Sequence, residues 1–150
     1  DGLYGPNGEN FVDTMIASIQ KRLAEDIHSI EVVNDQIGSP TYTADLAQMV
    51  KAVIEQPGSL NGPQVFHAVN KGSVSRADLV REIINILGFN CSVIGVSTEQ
   101  WNQEHGQGKP TAERPRDCSL DTAKLERIYT PRDWKAALRE YLTERYSLKG

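Results

Sequence analysis

Apolar residues recur at helical spacing in several stretches, and short apolar runs suited to strands lie between them. Phe11, Val12, Met15, Ile16, Ile19 and Leu23 predict a first helix over residues 9–23. Ile30 to Val33 reads as a short strand. A second helix over residues 43–56 has Thr43 as its expected N-cap and carries Leu46, Met49, Val50, Val53 and Ile54 on one face. Pro57-Gly58 should stop it. The continuous run Val65 to Val69, bounded by turn residues, predicts a buried strand. Ser75 and Asp78 have capping-box spacing, so a third helix should run from Arg76 to Leu87 and end at Gly88. Ser92 to Val96 is another strand candidate. Residues 97–115 are polar and lack periodicity, which predicts a long loop. Asp121 should cap a short helical turn over Thr122 to Arg127. Thr130-Pro131 should open a last helix over 131–145 that buries Trp134, Ala137, Leu138, Tyr141 and Leu142.

This alternation is α/β, but the strands are too few for an independent doubly wound sheet. The pattern is that of part of a larger fold. Its most informative stretch is Val33 to Ala47, where a strand enters a polar turn, Gly38 and Pro40 keep the backbone extended, and a helix follows.

Composition narrows the class. The 150 residues, 39% of them hydrophobic, suit one domain with a sizeable core. A net charge of −4 without a basic block argues against a nucleic-acid partner. No apolar run approaches the ~20 residues that span a bilayer, and no signal-like start is present. Cys91 and Cys118 lie far apart, outside any metal-ligand spacing, and are expected to be buried reduced thiols. Together these features predict a soluble protein of the reducing cytoplasm.

Several chemistries are missing from the 150 residues. Gly2, Gly5 and Gly8 follow no complete strand, so no dinucleotide-binding Gly-x-Gly-x-x-Gly turn is formed. Gly108-Lys109-Pro110 lacks the hydroxyl residue of a phosphate loop. No tyrosine is followed four places later by the lysine that would lower its pKa for proton delivery; Tyr141 meets Arg145 instead. His28, His67 and His105 have no paired metal spacing, and His67 within an apolar run reads as a core histidine. Asp35 reads as a turn former and Asp45 as a first-turn helix residue. Neither a catalytic set nor a cofactor or metal site is therefore expected in this chain.

Leu3-Tyr4-Gly5-Pro6, Asn10-Phe11, Val33 to Ala47 and Phe66-His67-Ala68-Val69-Asn70 form an ordered set with Arg114-Pro115, Leu120 to Leu125 and Arg132-Asp133-Trp134. This set resembles the C-terminal part of dTDP-4-dehydrorhamnose reductases, members of the extended short-chain dehydrogenase/reductase superfamily. The departures are Cys118, where the family often has serine, and residues 97–113. The resemblance implies the end of a Rossmann-type sheet plus a small α/β substrate-binding subdomain, with residues 1–150 forming a single C-terminal region. The absent N-terminal Rossmann half would bind NADPH or NADH and supply the Tyr-x-x-x-Lys pair.

For the parent protein the resemblance implies reduction of the 4-keto group of dTDP-4-dehydro-L-rhamnose; this chain alone is expected to bind no NADPH and to be inactive. The family often dimerises, but no interface is readable here. Arg114 is implied to grip the diphosphate, with Arg116 a weaker candidate. Gln36 is implied to read base or sugar, unless its amide only stabilises the turn. Asn10 suits either a ligand contact or a helix cap, Tyr42 either a ligand or packing, and Trp101 would stack on a base or sugar. Two alternatives stay open. One is a non-catalytic interaction module similar to the regulatory subunit of methionine adenosyltransferase, which shares an Arg-Pro…Leu-Asp…Lys-Leu tail. The other is a related nucleotide-sugar reductase or epimerase.

Overall fold

A computed structural model describes residues 2–56, 62–105 and 115–146. In chain order the elements are β1 (Leu3–Tyr4), α1 (Phe11–Ala24), β2 (Ser29–Val33), β3 (Ile37–Gly38), β4 (Thr41–Tyr42) and α2 (Thr43–Glu55). They continue with β5 (Val74–Ser75), α3 (Arg76–Leu87), β6 (Ser92–Val96), α4 (Thr98–His105), α5 (Ala123–Glu126) and α6 (Trp134–Tyr146). The chain crosses between two units. One holds Asp1–Gly8, Ser39–Ser73 and Ser119–Gly150; the other holds Glu9–Gly38 and Val74–Cys118.

In the second unit, β2 and β6 pair in parallel from Ser29 opposite Ser92 to Val33 opposite Val96. The pleat turns Ile30 and Val32 to one side, where they bury against Ile19 of α1 and Ala77 and Val80 of α3. Each such fully buried aliphatic chain contributes roughly 1.5–3 kcal/mol. The helix ends follow the sequence signals. The Asn10 side chain accepts the Asp13 N–H at 3.0 Å. The Ser75 hydroxyl accepts from the Asp78 N–H and donates to the Asp78 carboxylate, while Gly88, at φ +67°, closes α3. On β6, Gly95 leaves room for Asn34, whose Nδ2 would stand 2.8 Å from any Cβ there.

In the first unit, β1 pairs with β4 in parallel. Tyr4, Tyr42 and Tyr141 of α6 form an aromatic cluster with ring centroids 5.3–5.8 Å apart. Beside it lies a buried polar network centred on Asn70, which is fully enclosed. The Asn70 side-chain oxygen accepts the Tyr42 N–H at 2.9 Å, and its Nδ2 donates to Asp45 at 2.7 Å. Arg132 Nε donates to the same Asp45 oxygen at 2.8 Å, and its Nη1 to Glu140. These charge-assisted bonds hold the Arg132 pKa above its ordinary value. Five predicted core residues of α6, Trp134 to Leu142, are buried as expected.

Several local expectations need correction. Thr43 is the first residue of α2, not its cap; Tyr42 holds the cap position without a side-chain bond. On α2 only Asp45 and Met49 are buried, and Val50 and Ile54 face outward. Val65 to Val69 forms no strand among the described residues, because no neighbouring strand offers a ladder; Val65 is 73% exposed. His67 is exposed and held by the Asp121 carbonyl, so it is not a core histidine. The region after β6 opens with helix α4 where a loop was expected. The last helix starts at Trp134, three residues late, with Asp133 accepting the Lys135 N–H. Cys91 is half-buried and Cys118 exposed, both as free thiols. Pro57-Gly58 lies outside the described residues.

Candidate binding site

The second unit contains a cavity of about 340 Å³, at the lower end of the range for small-molecule sites. Its walls come from Phe11 of α1, Val32 of β2, Gln36 in the turn after β2, Arg76 at the start of α3, and Thr98 and Trp101 of α4. Glu31 adds an acidic group to a wall that otherwise offers an amide, a guanidinium and two aromatic rings.

Each polar side chain is positioned by the local chain. The Gln36 carbonyl accepts the Arg76 N–H at 3.1 Å, and Gln36 Nε2 donates to Thr98 Oγ1 at 2.9 Å. Thr98 Oγ1 donates to Asp35 at 2.6 Å. The Thr98 N–H reaches both Asp35 oxygens at 3.0 and 3.1 Å. The hydroxyl bond is the main reason that the Asp35 carboxyl is held below its ordinary pKa. Arg76 carries its guanidinium 5.5 Å from the centre of the Phe11 ring, a cation–π placement. Trp101 stacks on His105 at 4.0 Å. The arrangement can stack a flat ring, read its edge and attract an anion. Its described residues do not include the paired acid and base of a proton-transfer site.

The predicted residues separate. Gln36 and Trp101 line the same cavity. Asn10 engages Asp13 through both ends of its amide as the cap of α1, directly before cavity residue Phe11. Tyr42 belongs to the first unit, where it is buried in the aromatic cluster and donates to Glu144 at 2.9 Å. Burial, then the Glu144 carboxylate, pushes its pKa up to about 12, which opposes proton release near neutral pH. Arg114 lies outside the described residues, and Arg116 is exposed.

Arg76 is among the cavity residues that sequence reasoning passed over, with Glu31, Thr98 and Asn102. Its signal was available: a cation in the first turn of a helix opposes the helix dipole, so its presence there calls for another explanation. The described glycines do not form a dinucleotide cradle. A Cβ at Gly5 would fall 2.0 Å from Thr43 Oγ1, so this glycine serves close packing of α2 and not a phosphate. Among the described residues, the glycines offer no Gly-x-Gly-x-x-Gly turn for the phosphates of a nicotinamide dinucleotide. No cluster of three metal-binding side chains occurs among the described residues, and none of their helices is long and apolar enough to cross a membrane.

Comparison with known structures defines the class. The dTDP-4-dehydrorhamnose reductase of Bacillus anthracis, solved in complex with NADP, superposes with a TM-score of 0.75 at 32% identity, over 95% of this chain and 45% of that one. The fold is thus that of the α/β substrate-binding part of extended short-chain reductases. More narrowly, the chain belongs to the RmlD substrate binding domain family, whose model matches residues 1–147. Among curated relatives, the Bacillus subtilis spore coat polysaccharide biosynthesis protein SpsK is 38% identical across 97% of this chain and 46% of its own length. The dTDP-4-dehydrorhamnose reductase of Streptomyces griseus is 35% identical across 92% of this chain and 43% of its own. The chain therefore spans somewhat under half the length of these relatives.

Proposed function

We propose that this chain is the substrate-binding part of a nucleotide-sugar reductase, and that the cavity of the second unit takes the nucleotide end of a dTDP-linked 4-keto sugar. One observation carries the reading. Gln36, predicted from the Asn-Asp-Gln turn, shares a cavity with an aromatic side chain, Trp101, and a guanidinium, Arg76. Phe11 and Trp101 offer faces for the base, Gln36 an amide for its edge, and Arg76 a charge for phosphate oxygens. A cavity of about 340 Å³ suits the nucleoside end better than a whole nucleotide sugar. By resemblance, Arg114 adds a second grip on the diphosphate.

On this reading, hydride from NADPH or NADH and the proton for the developing alkoxide come from a dinucleotide-binding half. That half also covers the apolar residues exposed on the first unit, among them Leu3, Val50, Ile54 and Val65. Calorimetric titration with dTDP tests the reading. Arg76→Ala and Arg114→Ala should each weaken binding by about 1–3 kcal/mol, as for a charged hydrogen bond. Unchanged affinity in both variants would favour an interaction module, for which the exposed apolar residues are the supporting feature. Oxidation of NADPH by the isolated 150-residue chain would refute the division of labour.

A further inference from the structure

Helix α4 should not be stable on its own. It has eight residues, Thr98–His105, and none is buried; isolated helices this short are marginal in water. What holds it is a polar joint at its first turn, made by a residue 63 positions away in sequence. The Asp35 carboxylate accepts the Thr98 hydroxyl at 2.6 Å and the Thr98 N–H at 3.0 and 3.1 Å. A carboxylate at this end also complements the helix dipole. Just before the helix, the Ser97 hydroxyl accepts the Gln100 N–H at 3.1 Å, capping the first turn.

The same threonine governs the cavity wall. Because its hydroxyl proton goes to Asp35, its lone pair is left to accept Gln36 Nε2 at 2.9 Å. This fixes the amide and leaves Gln36 Oε1 as the end able to accept a bond from a ligand. Trp101 and Asn102 lie three and four residues beyond Thr98, on the same helix face, and both line the cavity.

We propose that Asp35 and Thr98 form a latch, a pair of positioning residues that folds α4 onto the second unit and so sets Gln36 and Trp101 for the ligand. Thr98 lines the cavity, but its hydroxyl is engaged by Asp35 and Gln36, so the role assigned to the pair is positioning. This rests on the nucleotide reading of the cavity, and it assigns the setting of that site to a pair of residues outside the contacts proposed above. Released, the latch frees α4 and the Trp101 wall together; closed, it holds an aromatic face and an acceptor in register.

The test pairs hydrogen exchange with dTDP titration on the full chain, comparing wild type, Thr98→Val, Thr98→Ser and Asp35→Asn. Thr98→Val keeps the side-chain shape and removes the hydroxyl; Thr98→Ser keeps the hydroxyl. The latch predicts that Thr98→Val and Asp35→Asn speed amide exchange in residues 98–105 at least tenfold while exchange in α1 and α3 is unchanged. Both should weaken dTDP about tenfold, and Thr98→Ser should restore wild-type values of each. Unchanged exchange in Thr98→Val overturns the latch. Faster exchange with unaltered dTDP affinity overturns its positioning role. Failure of the wild type to bind dTDP, with the exchange pattern as predicted, instead overturns the nucleotide reading on which the positioning role rests.

Discussion

Replacing Asn70 by alanine should damage the first unit more than any exposed substitution, and the structure gives the size of the loss. Three hydrogen bonds disappear, the weakest a 3.3 Å contact from Asn70 Nδ2 to the Arg132 carbonyl. The Tyr42 N–H, bonded to the Asn70 oxygen at 2.9 Å, is left buried without an acceptor, at a cost of about 1–3 kcal/mol. Asp45 loses the Asn70 donor at 2.7 Å; a hydrogen bond to a charged group contributes about 1.5–3 kcal/mol. Since Arg132 still holds the Asp45 carboxylate, the combined loss should be about 3–5 kcal/mol. For a chain of this length that corresponds to a fall in Tm on the order of 10 °C. Urea unfolding should show a lower midpoint with an unchanged slope. Asn85→Ala, on the exposed face of α3, should stay within about 0.5 kcal/mol as a control. A loss below about 1 kcal/mol for Asn70→Ala would refute the reasoning, because it would mean that neither buried group depends on this amide.

Three further outcomes follow from the same structure. Tyr4 has a buried hydroxyl without a hydrogen-bond partner among the described residues. Tyr4→Phe should therefore stabilise the protein, by about 1 kcal/mol, and a lower melting temperature would contradict this. Gly95→Ala would place a methyl 2.8 Å from Asn34 Nδ2; overpacking of this kind costs about 1–3 kcal/mol, and an unaltered melting curve would show that Asn34 moves aside freely. The pKa of His28 is raised, chiefly because the Asn90 carbonyl accepts its Nδ1 proton and secondarily because Asp26 accepts from Nε2. Its stabilising contribution is present in full below the unfolded histidine value of about 6.5, and is lost as pH rises through the higher folded value. Proton titration by NMR should show that elevation in the wild type and a smaller one in Asp26→Asn; a value at or below 6.5 would contradict it.

The residues that carry the family resemblance largely hold up the fold, while the cavity draws more on residues outside it. Tyr4, Tyr42, Asp45, Asn70 and Arg132 all come from matching segments, and they meet in the first unit as an aromatic cluster and a buried polar network. Helical periodicity was legible because α1, α3 and α6 each bury a stripe of their own. It misled at α2 and at Val65 to Val69, where apolar residues stay exposed among the described residues. Periodicity marks a face suited to burial without saying which partner covers it. Helix α4 was illegible for the opposite reason. Its polar sequence has no apolar stripe, and its stability comes from Asp35, a contact that local pattern cannot reveal. At the cavity, Gln36 and Trp101, which the sequence reading had singled out, line the wall beside Arg76, which was read only as part of a capping box.

The central claim is that the Gln36, Arg76 and Trp101 cavity receives the nucleotide. Backbone and indole N–H spectra recorded during titration with dTDP test it most directly. The account predicts saturable shifts at Phe11, Gln36, Arg76 and the Trp101 indole, and none at the Trp134 indole, which is buried in the first unit. Saturable shifts that leave those four signals unmoved would contradict it.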